Sequence, residues 1–170
     1  MMAQPGTTTA HNYTFDALQG GQLPMAAWRG KPVLVVNTAS ECGFTGQYRQ
    51  LQELWQAYRE RGLIVLGVPC NDFGGQEPGD AAAIDQFCGV NFGVDFPITA
   101  KYHVYGKSAH PFYRWANGWA GLIGCPKWNF HKYLVGPEGQ MIDWFASTTE
   151  PSADKVTRAI ESLFPGKGRA

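Results

Sequence analysis

The sequence predicts an α/β domain in which a mixed β-sheet is flanked by helices in a three-layer sandwich. Two features lead to this fold class. Residues 33–68 contain an apolar strand, an amphipathic helix and a second apolar strand, and such a β-α-β succession forms a parallel pair with a right-handed crossover. Tyr133–Val135 and Met141–Phe145 flank the turn-forming tetrad Gly136–Gly139, which predicts an antiparallel hairpin. Parallel and antiparallel pairs together make the sheet mixed.

The elements of the first half follow from local patterns. Tyr13–Phe15 and a partner near Leu23 predict a small hairpin around a pair of glycines. Val33–Asn37 and Leu63–Val68 are short, nearly continuous apolar runs, as expected of central strands covered on both faces. The helix between them begins near Gln47. Its apolar residues recur at helical spacing: Tyr48, Leu51, Leu54, Trp55 and Tyr58.

The second half adds helices around the hairpin. Asp80 can cap a helix over residues 81–88, and a further helix is expected near Ser108. The last helix starts at about Ser152, after the hairpin. This order of elements is that of the thioredoxin architecture with an inserted helical segment.

Length, composition and charge restrict the possible functions. The 170 residues predict one domain over residues 1–170, with 1–11 as a flexible leader and 165–170 as a flexible tail. The 14 basic and 14 acidic residues cancel, which argues against capture of nucleic acid or of an anionic membrane. No apolar run approaches the ~20 residues of a membrane span. Because no secretory signal is visible either, we expect a cytoplasmic protein whose four cysteines are not a structural disulfide framework.

Cys42 lies in the loop between the first apolar strand and the helix that begins near Gln47. Backbone N–H groups at the start of a helix are unpaired and carry partial positive charge, and both properties favour a thiolate over a thiol. The thiolate is the reactive form. Position alone leaves two interpretations open: a redox or nucleophilic cysteine, and a small buried hydrophobic residue.

Two other segments carry polar donors that suit peroxide chemistry. When a thiolate reduces a peroxide it becomes a sulfenic acid, and the departing oxygen develops negative charge that fixed donors stabilise. The amides of Gln76 and Asn129 and the indole N–H of Trp128 are donors that do not titrate. The loop of Gln76 follows the second parallel strand, so it should meet the loop of Cys42 at one sheet edge. Each of these residues taken alone favours a packing or turn role.

The combination closely resembles the signature segments of the glutathione peroxidase family. Three segments occur in the family's order, Asn37–Thr45, Pro69–Gly79 and Trp128–Tyr133, and the resemblance extends from about residue 13 to residue 164. It implies a thioredoxin-like fold and the reduction of hydrogen peroxide and organic hydroperoxides, with a thiol as co-substrate and no cofactor. It also implies a catalytic tetrad: Cys42, Gln76, Trp128 and Asn129. A cysteine stands where some members carry selenocysteine.

The resemblance also bears on how the Cys42 sulfenic acid is reduced. The segment around Cys88 is similar to that of the resolving cysteine in thioredoxin-dependent members, which implies a Cys42–Cys88 disulfide that a thioredoxin-like protein reduces. Cys88 shares a helical face with apolar residues, so it should point inward, and its helix must partly unwind if the two cysteines are far apart. Gly89 and Gly93 would make the following loop deformable. Thr45, where a Cys-x-x-Cys motif has its second cysteine, argues against a plain disulfide reductase. Three alternatives stay open: a glutathione-dependent peroxidase, a peroxide sensor that oxidises a partner protein, and a non-catalytic binding module.

The remaining candidates are interpreted as structural. Cys70 is not required by the tetrad chemistry, and Cys125 is at most an accidental backup thiol. The histidines at positions 11, 103, 110 and 131 show no metal-like spacing, so no metal site is predicted. The short connection Trp119–Gly124 is similar to that of the compact, monomeric branch of the family. Its apolar residues fit either a rim for lipid substrates or a cap on the core.

Overall fold

A four-stranded sheet with the strand order β4-β3-β5-β6 forms the centre of the molecule. The computed structural model describes residues 7–165. Its strands are β1 (Thr14–Asp16), β2 (Gln22–Pro24), β3 (Val33–Thr38), β4 (Ile64–Pro69), β5 (Lys132–Val135) and β6 (Met141–Phe145). β3 pairs with β4 in parallel, whereas β5 is antiparallel to both of its neighbours. The predicted mixed sheet is confirmed, and β1 and β2 form the predicted separate hairpin.

Helices cover both faces of the sheet. They are α1 (Gln47–Tyr58), α2 (Ala81–Phe92), α3 (Pro111–Gly124) and α4 (Asp154–Glu161), with short 3-10 turns at Ala10–Asn12, Met25–Trp28 and Arg59–Arg61. Successive residues of β3 point to opposite faces because the side-chain period of a strand is two. Leu34 and Val36 pack with α1, α2 and α4, whereas Val33 and Val35 pack with α3 and the β1–β2 hairpin. The result is the expected three-layer, thioredoxin-like sandwich.

The helix that carries Cys88 is longer than the sequence pattern predicts. We expected residues 81–88, but α2 continues to Phe92, so Gly89 lies inside the helix and not in a loop. Gly93 ends the helix in the left-handed conformation, with φ 60°. The ring of Phe92 lies 5.5 Å from that of Tyr48, and this tertiary contact explains why the chain stays helical beyond a glycine.

α3 also differs from its expected bounds. It begins at Pro111, three residues after the expected start, because the ring of His110 accepts a hydrogen bond from the Phe112 N–H at 3.0 Å and caps the helix. The helix then continues through the predicted connection, residues 119–124, with a kink at Gly121, where φ is 74°. The apolar side chains of that connection are therefore presented by the end of a helix.

The chain packs against the domain earlier than the predicted leader allows. Ala10 is fully buried, and its N–H donates to the carbonyl of Gly139 at 2.9 Å. The expectation of a flexible leader over residues 1–11 therefore does not describe residues 9–11. Residues 1–6 and 166–170, which hold most of that leader and most of the predicted tail, lie outside the described residues. Within the described part of the chain, no helix has the length and apolar character that crossing a membrane requires.

Candidate active site

Cys42 lies in the loop that joins β3 to α1, and its side chain is 8% exposed. The N–H of Phe44 donates to its sulfur at 3.3 Å. The first N–H groups of α1 are occupied elsewhere, since that of Gln47 donates to the Phe44 carbonyl at 2.8 Å. The donor that reaches the sulfur is thus a loop amide, and not an amide of α1 as the sequence argument assumed.

Thr45 closes the loop around Cys42. Its hydroxyl accepts a hydrogen bond from the Cys42 N–H at 2.9 Å and donates to the Ala39 carbonyl at 3.0 Å. Thr45 is 9% exposed, so water competes little for these bonds. The sequence pattern predicts for Thr45 only that it replaces the second cysteine of a Cys-x-x-Cys motif. Its position three residues after Cys42, where a hydroxyl can bond back to the backbone, is the signal that could have revealed its role.

The loop of Gln76 is bonded directly to the loop of Cys42. The Glu41 N–H donates to the Gln76 carbonyl at 3.0 Å. The Ser40 N–H donates to the Glu77 carboxylate at 3.2 Å. Glu77 is 1% exposed, and its burial raises the pKa of the carboxyl. The two loops after the parallel strands therefore meet at one edge, as predicted.

The segment before β5 reaches the same edge because β5 runs antiparallel to β3, with Lys132 opposite Val36. There Asn129 is fully buried. Its amide nitrogen donates to the side-chain oxygen of Gln76 at 2.9 Å and to the Phe73 carbonyl at 3.3 Å. All three segments singled out in the sequence thus meet around one position.

These bonds give the three predicted donors different tasks. Asn129 donates both amide hydrogens, one to Gln76 and one to the backbone. It therefore orients Gln76 and has no free donor to offer. With the Gln76 oxygen held in this way, its N–H₂ group is directed elsewhere. Among the described hydrogen bonds, neither that group nor the indole N–H of Trp128 is donated to a protein acceptor. Trp128 is 36% exposed, so its side chain is partly accessible to solvent.

Gly74 allows Trp128 to lie against the Gln76 loop. The rings of Phe73 and Trp128 are 6.2 Å apart. Gly74 has φ +70°, and a Cβ at this position would come within 2.9 Å of the Trp128 ring. Only glycine fits this close approach without strain.

The other cysteines lie outside this cluster of contacts, and all four thiols are free. Cys88, on α2, is 1% exposed, and burial raises its pKa to about 11. Cys88 belongs to the hydrophobic core that also contains Tyr48 and Ile84, so it points inward as its helical face predicts. Burial raises the pKa of Cys70 to about 12, whereas Cys125 lies at the end of α3 with its sulfur 3.9 Å from the Lys127 ammonium.

Two concave surfaces adjoin the site. A cleft of about 580 Å³ lies between the Cys42 loop (Gly43 and Phe44), the first turn of α1, and residues from 148 to 155. A smaller cavity of about 190 Å³ lies beside Trp128 and is lined by Ile123 and Cys125, among others. Among residues 7–165, no group of three or more histidine, cysteine or acidic side chains is arranged to hold a metal ion.

A cysteine after the first strand of a thioredoxin-like sheet, with polar donors from two other loops nearby, is the arrangement expected of a thiol-dependent oxidoreductase. Comparison with known proteins identifies which one. The family model described as glutathione peroxidase matches residues 10–117. The chain is 49% identical over 138 residues to the glutathione peroxidase-like peroxiredoxin GPX5 of Chlamydomonas reinhardtii, covering 80% of this chain and 85% of that protein. The chain belongs to the glutathione peroxidase family and is a peroxidase.

Two further comparisons cover nearly the whole chain. It is 38% identical over 170 residues to the hydroperoxy fatty acid reductase of Synechocystis sp., covering 95% of this chain and 99% of that protein. The crystal structure of Trgpx in its apo form is 38% identical, with a TM-score of 0.72 and coverage of 92% and 97% of the two chains. The similarity therefore includes the elements that carry all three site segments.

Proposed function

We propose that this chain is a two-cysteine thiol peroxidase that reduces hydrogen peroxide and organic hydroperoxides and is recycled by a thioredoxin-like protein. The observation that carries the proposal is the hydrogen bond from Asn129 to Gln76, at 2.9 Å. It joins the segment before β5 to the loop that is bonded to the loop of Cys42. Two of the relatives reported above are named as a peroxiredoxin and as a hydroperoxy fatty acid reductase, which supports the substrate class.

In the first step the Cys42 thiolate attacks one oxygen of the O–O bond. An S–O bond forms, the O–O bond breaks, and the sulfur is oxidised to a sulfenic acid while the peroxide is reduced to an alcohol or water. The departing oxygen gains negative charge before it takes up a proton. The N–H₂ group of Gln76 and the indole N–H of Trp128 are the donors assigned to that charge, with Asn129 holding Gln76 in orientation.

In the second step Cys88 attacks the sulfur of the Cys42 sulfenic acid, and a disulfide and water result. The buried Cys88 thiol is poorly suited to this in the closed structure, because its pKa is about 11 against an ordinary value of 9.0. Transfer of Cys88 into water would lower the pKa by about two units and raise the thiolate fraction near pH 7 about a hundredfold. Opening of α2 therefore activates the resolving thiol as well as delivering it.

α2 is weakly attached to the domain, which supports this step. Only Ile84 and Cys88 of its residues are fully buried, and Val90 is 75% exposed. The other attachments include an exposed hydrogen bond from Gln19 to Asp85 at 2.6 Å. Elements with few buried contacts open locally at a free energy well below that of global unfolding.

A protein dithiol fits the recycling step better than glutathione. Cys42 is 8% exposed and Cys88 1% exposed, so both sulfurs become accessible only through the movement of α2 that forms the disulfide. Glutathione carries two carboxylates and one ammonium group, which need matching charges near the thiol. Of the described residues that line the cleft beside Cys42, only Glu150 and Lys155 are charged.

We further propose that the chain acts as a monomer in the cytoplasm. The connection over residues 119–124 is short, as in the compact, monomeric branch of the family that the sequence resembles, and Leu122 and Ile123 are 85% and 81% exposed. Ile123 also lines the cavity beside Trp128, so these side chains offer an apolar approach for bulky hydroperoxides. A reducing compartment supplies the thiols that the cycle consumes.

The decisive experiment is the intact mass of the reduced protein after one equivalent of hydrogen peroxide, followed by peptide mapping. We expect loss of two hydrogens and a Cys42–Cys88 disulfide. A Cys88→Ser variant should instead gain one oxygen at Cys42 and lose thioredoxin-coupled turnover. Cys70→Ser and Cys125→Ser are the matched controls and should turn over normally.

Three results would contradict the proposal. Full thioredoxin-coupled turnover of Cys88→Ser would show that Cys88 does not resolve the sulfenic acid. If Cys88→Ser and the parent protein turn over equally fast with glutathione as the reductant, the one-cysteine cycle is indicated. Slow recycling with a trapped mixed disulfide to another protein would indicate a peroxide sensor.

A further inference from the structure

The backbone next to Asn129 adopts an unusual conformation. Phe130 has φ 65°, and it is the only non-glycine residue with positive φ among residues 7–165. A bulky side chain is disfavoured in the left-handed region, so the surrounding contacts must hold it there. Residues in such strained conformations concentrate at functional sites, and this one directly follows the residue that orients Gln76.

Asn37, at the end of β3, holds this segment with three different groups. Its carbonyl accepts from the Phe130 N–H at 2.6 Å, and its own N–H donates to the His131 carbonyl at 3.3 Å. Its side-chain amide donates to the Trp128 carbonyl at 3.0 Å. The segment is thus bonded on both sides of Asn129, while the side chain of Asn129 is left to bond Gln76.

Lys132 holds the same turn from the side of β5. Its ammonium group donates to the Phe130 carbonyl at 2.6 Å and to the Ala146 carbonyl at 3.3 Å. Lys132 is fully buried, and this burial lowers its pKa to about 7. Burying an amine is costly unless its hydrogen bonds are made, and an apolar side chain of similar length would fill the same space at a lower cost. Packing alone does not account for a lysine at this position.

We propose that Asn37 and Lys132 are positioning residues for the peroxide-reducing step, because they hold the left-handed turn at Phe130 and so place Asn129 against Gln76. The inference rests on the donor roles proposed above. Without the Lys132 bond, Phe130 relaxes toward negative φ, which rotates the adjoining peptide groups. Asn129 then loses its alignment, and the Gln76 amide is no longer fixed in one orientation.

The test compares two reactions of the same thiol. In Lys132→Met we expect the rate constant for oxidation of Cys42 by hydrogen peroxide to fall about ten- to hundredfold, as misplaced catalytic groups generally cause. Alkylation of Cys42 by iodoacetamide should stay within about twofold, because it needs the thiolate but no donor for a departing oxygen. Lys132→Gln keeps an N–H₂ donor group, although on a shorter side chain, and should recover part of the peroxide rate. Asn37→Ala removes the side-chain amide that donates to the Trp128 carbonyl and should lower the peroxide rate constant in the same way.

Two control variants separate positioning from stability. Lys107→Met removes an exposed lysine and should leave both rates unchanged. Ile160→Val lowers core packing in α4, away from the site, and should reduce the unfolding midpoint without changing either rate. If Lys132→Met does not fold, Lys132→Gln and Asn37→Ala carry the test.

Either of two results would overturn the inference. One is a peroxide rate within twofold of the parent protein in the folded Lys132 and Asn37 variants. The other is a parallel fall of the alkylation rate, which would place the effect on the Cys42 thiolate itself. Asn129→Ala distinguishes this from failure of the proposed function: if that variant keeps the parent peroxide rate, the donor roles themselves are wrong.

Discussion

Loosening α2 without damaging the catalytic site should make the disulfide form faster. The proposed cycle needs α2 to open before Cys88 can attack the Cys42 sulfenic acid. Ile84 is the fully buried apolar anchor of that helix, at 1% exposure. Ile84→Val removes one methylene group from this anchor while keeping a β-branched apolar side chain, so it weakens the closed state and leaves the sequence of the three site loops intact.

The size of the effect follows from the packing. Shortening a buried isoleucine to valine costs about 0.5–1.5 kcal/mol. Since Ile84 loses its contacts when α2 unwinds, that cost is removed in the open form, and the opening equilibrium should rise by the same free energy. At about 1.4 kcal/mol for each factor of ten, disulfide formation should accelerate about two- to twelvefold.

The assay is single-turnover oxidation with one equivalent of hydrogen peroxide, quenched at intervals and analysed by intact mass. The sulfenic acid and the disulfide differ by one water, so both rates are read in one experiment. Ile160→Val is the matched control, because Ile160 is fully buried in α4 and belongs to the same hydrophobic core. It should lose similar global stability and leave the rate of disulfide formation unchanged.

Two outcomes would refute this reasoning. An unchanged rate of disulfide formation in Ile84→Val, together with a lower unfolding midpoint, would mean that Cys88 reacts without α2 opening. Acceleration of the same size in Ile160→Val would assign the effect to global stability. Hydrogen exchange of the α2 amides in the reduced protein gives an independent measure of the opening equilibrium.

Three other predictions concern the site and its support. Asn129→Ala should slow oxidation of Cys42 about a hundredfold in stopped-flow measurements, because the Gln76 amide is no longer held; a change below twofold would contradict this. Lys132 has a pKa of about 7 in the folded protein, against an ordinary value of 10.5. Between these pH values the unfolded chain binds a proton that the folded chain has released, so the free energy of unfolding rises with pH. The unfolding free energy is measured by urea titration at several pH values between 7 and 8.5. Its increase with pH should be up to about 1.4 kcal/mol per pH unit steeper than in Lys132→Met. An equal pH dependence in the two proteins would show that Lys132 stays charged. Gly74→Ala should cost about 1 kcal/mol or more and slow peroxide reduction, since its Cβ would lie 2.9 Å from the Trp128 ring; parent-like melting and kinetics would refute this.

Much of the architecture could be predicted because it depends on short-range patterns. The apolar runs of β3 and β4 and the helical spacing in α1 are local, and the parallel pairing follows from the crossover rule. The meeting of the Cys42 and Gln76 loops follows from the same rule. The bounds of α2 could not be predicted in this way, because the contact between Phe92 and Tyr48 that extends it joins residues far apart in the sequence.

By itself, then, the sequence determined the fold class, the family and the side chains that can do the chemistry, since these depend on residue identity and periodicity. Only the tertiary structure decided which hydrogen bonds each of those side chains makes, and so which role each can have. Asn129 looks like a free donor in the sequence, but it spends its hydrogen bonds on Gln76 and Phe73. Lys132 resembles an ordinary surface lysine, but it is buried against the Phe130 carbonyl. Such roles are set by partners from other strands and loops, and no local pattern encodes the direction of those hydrogen bonds.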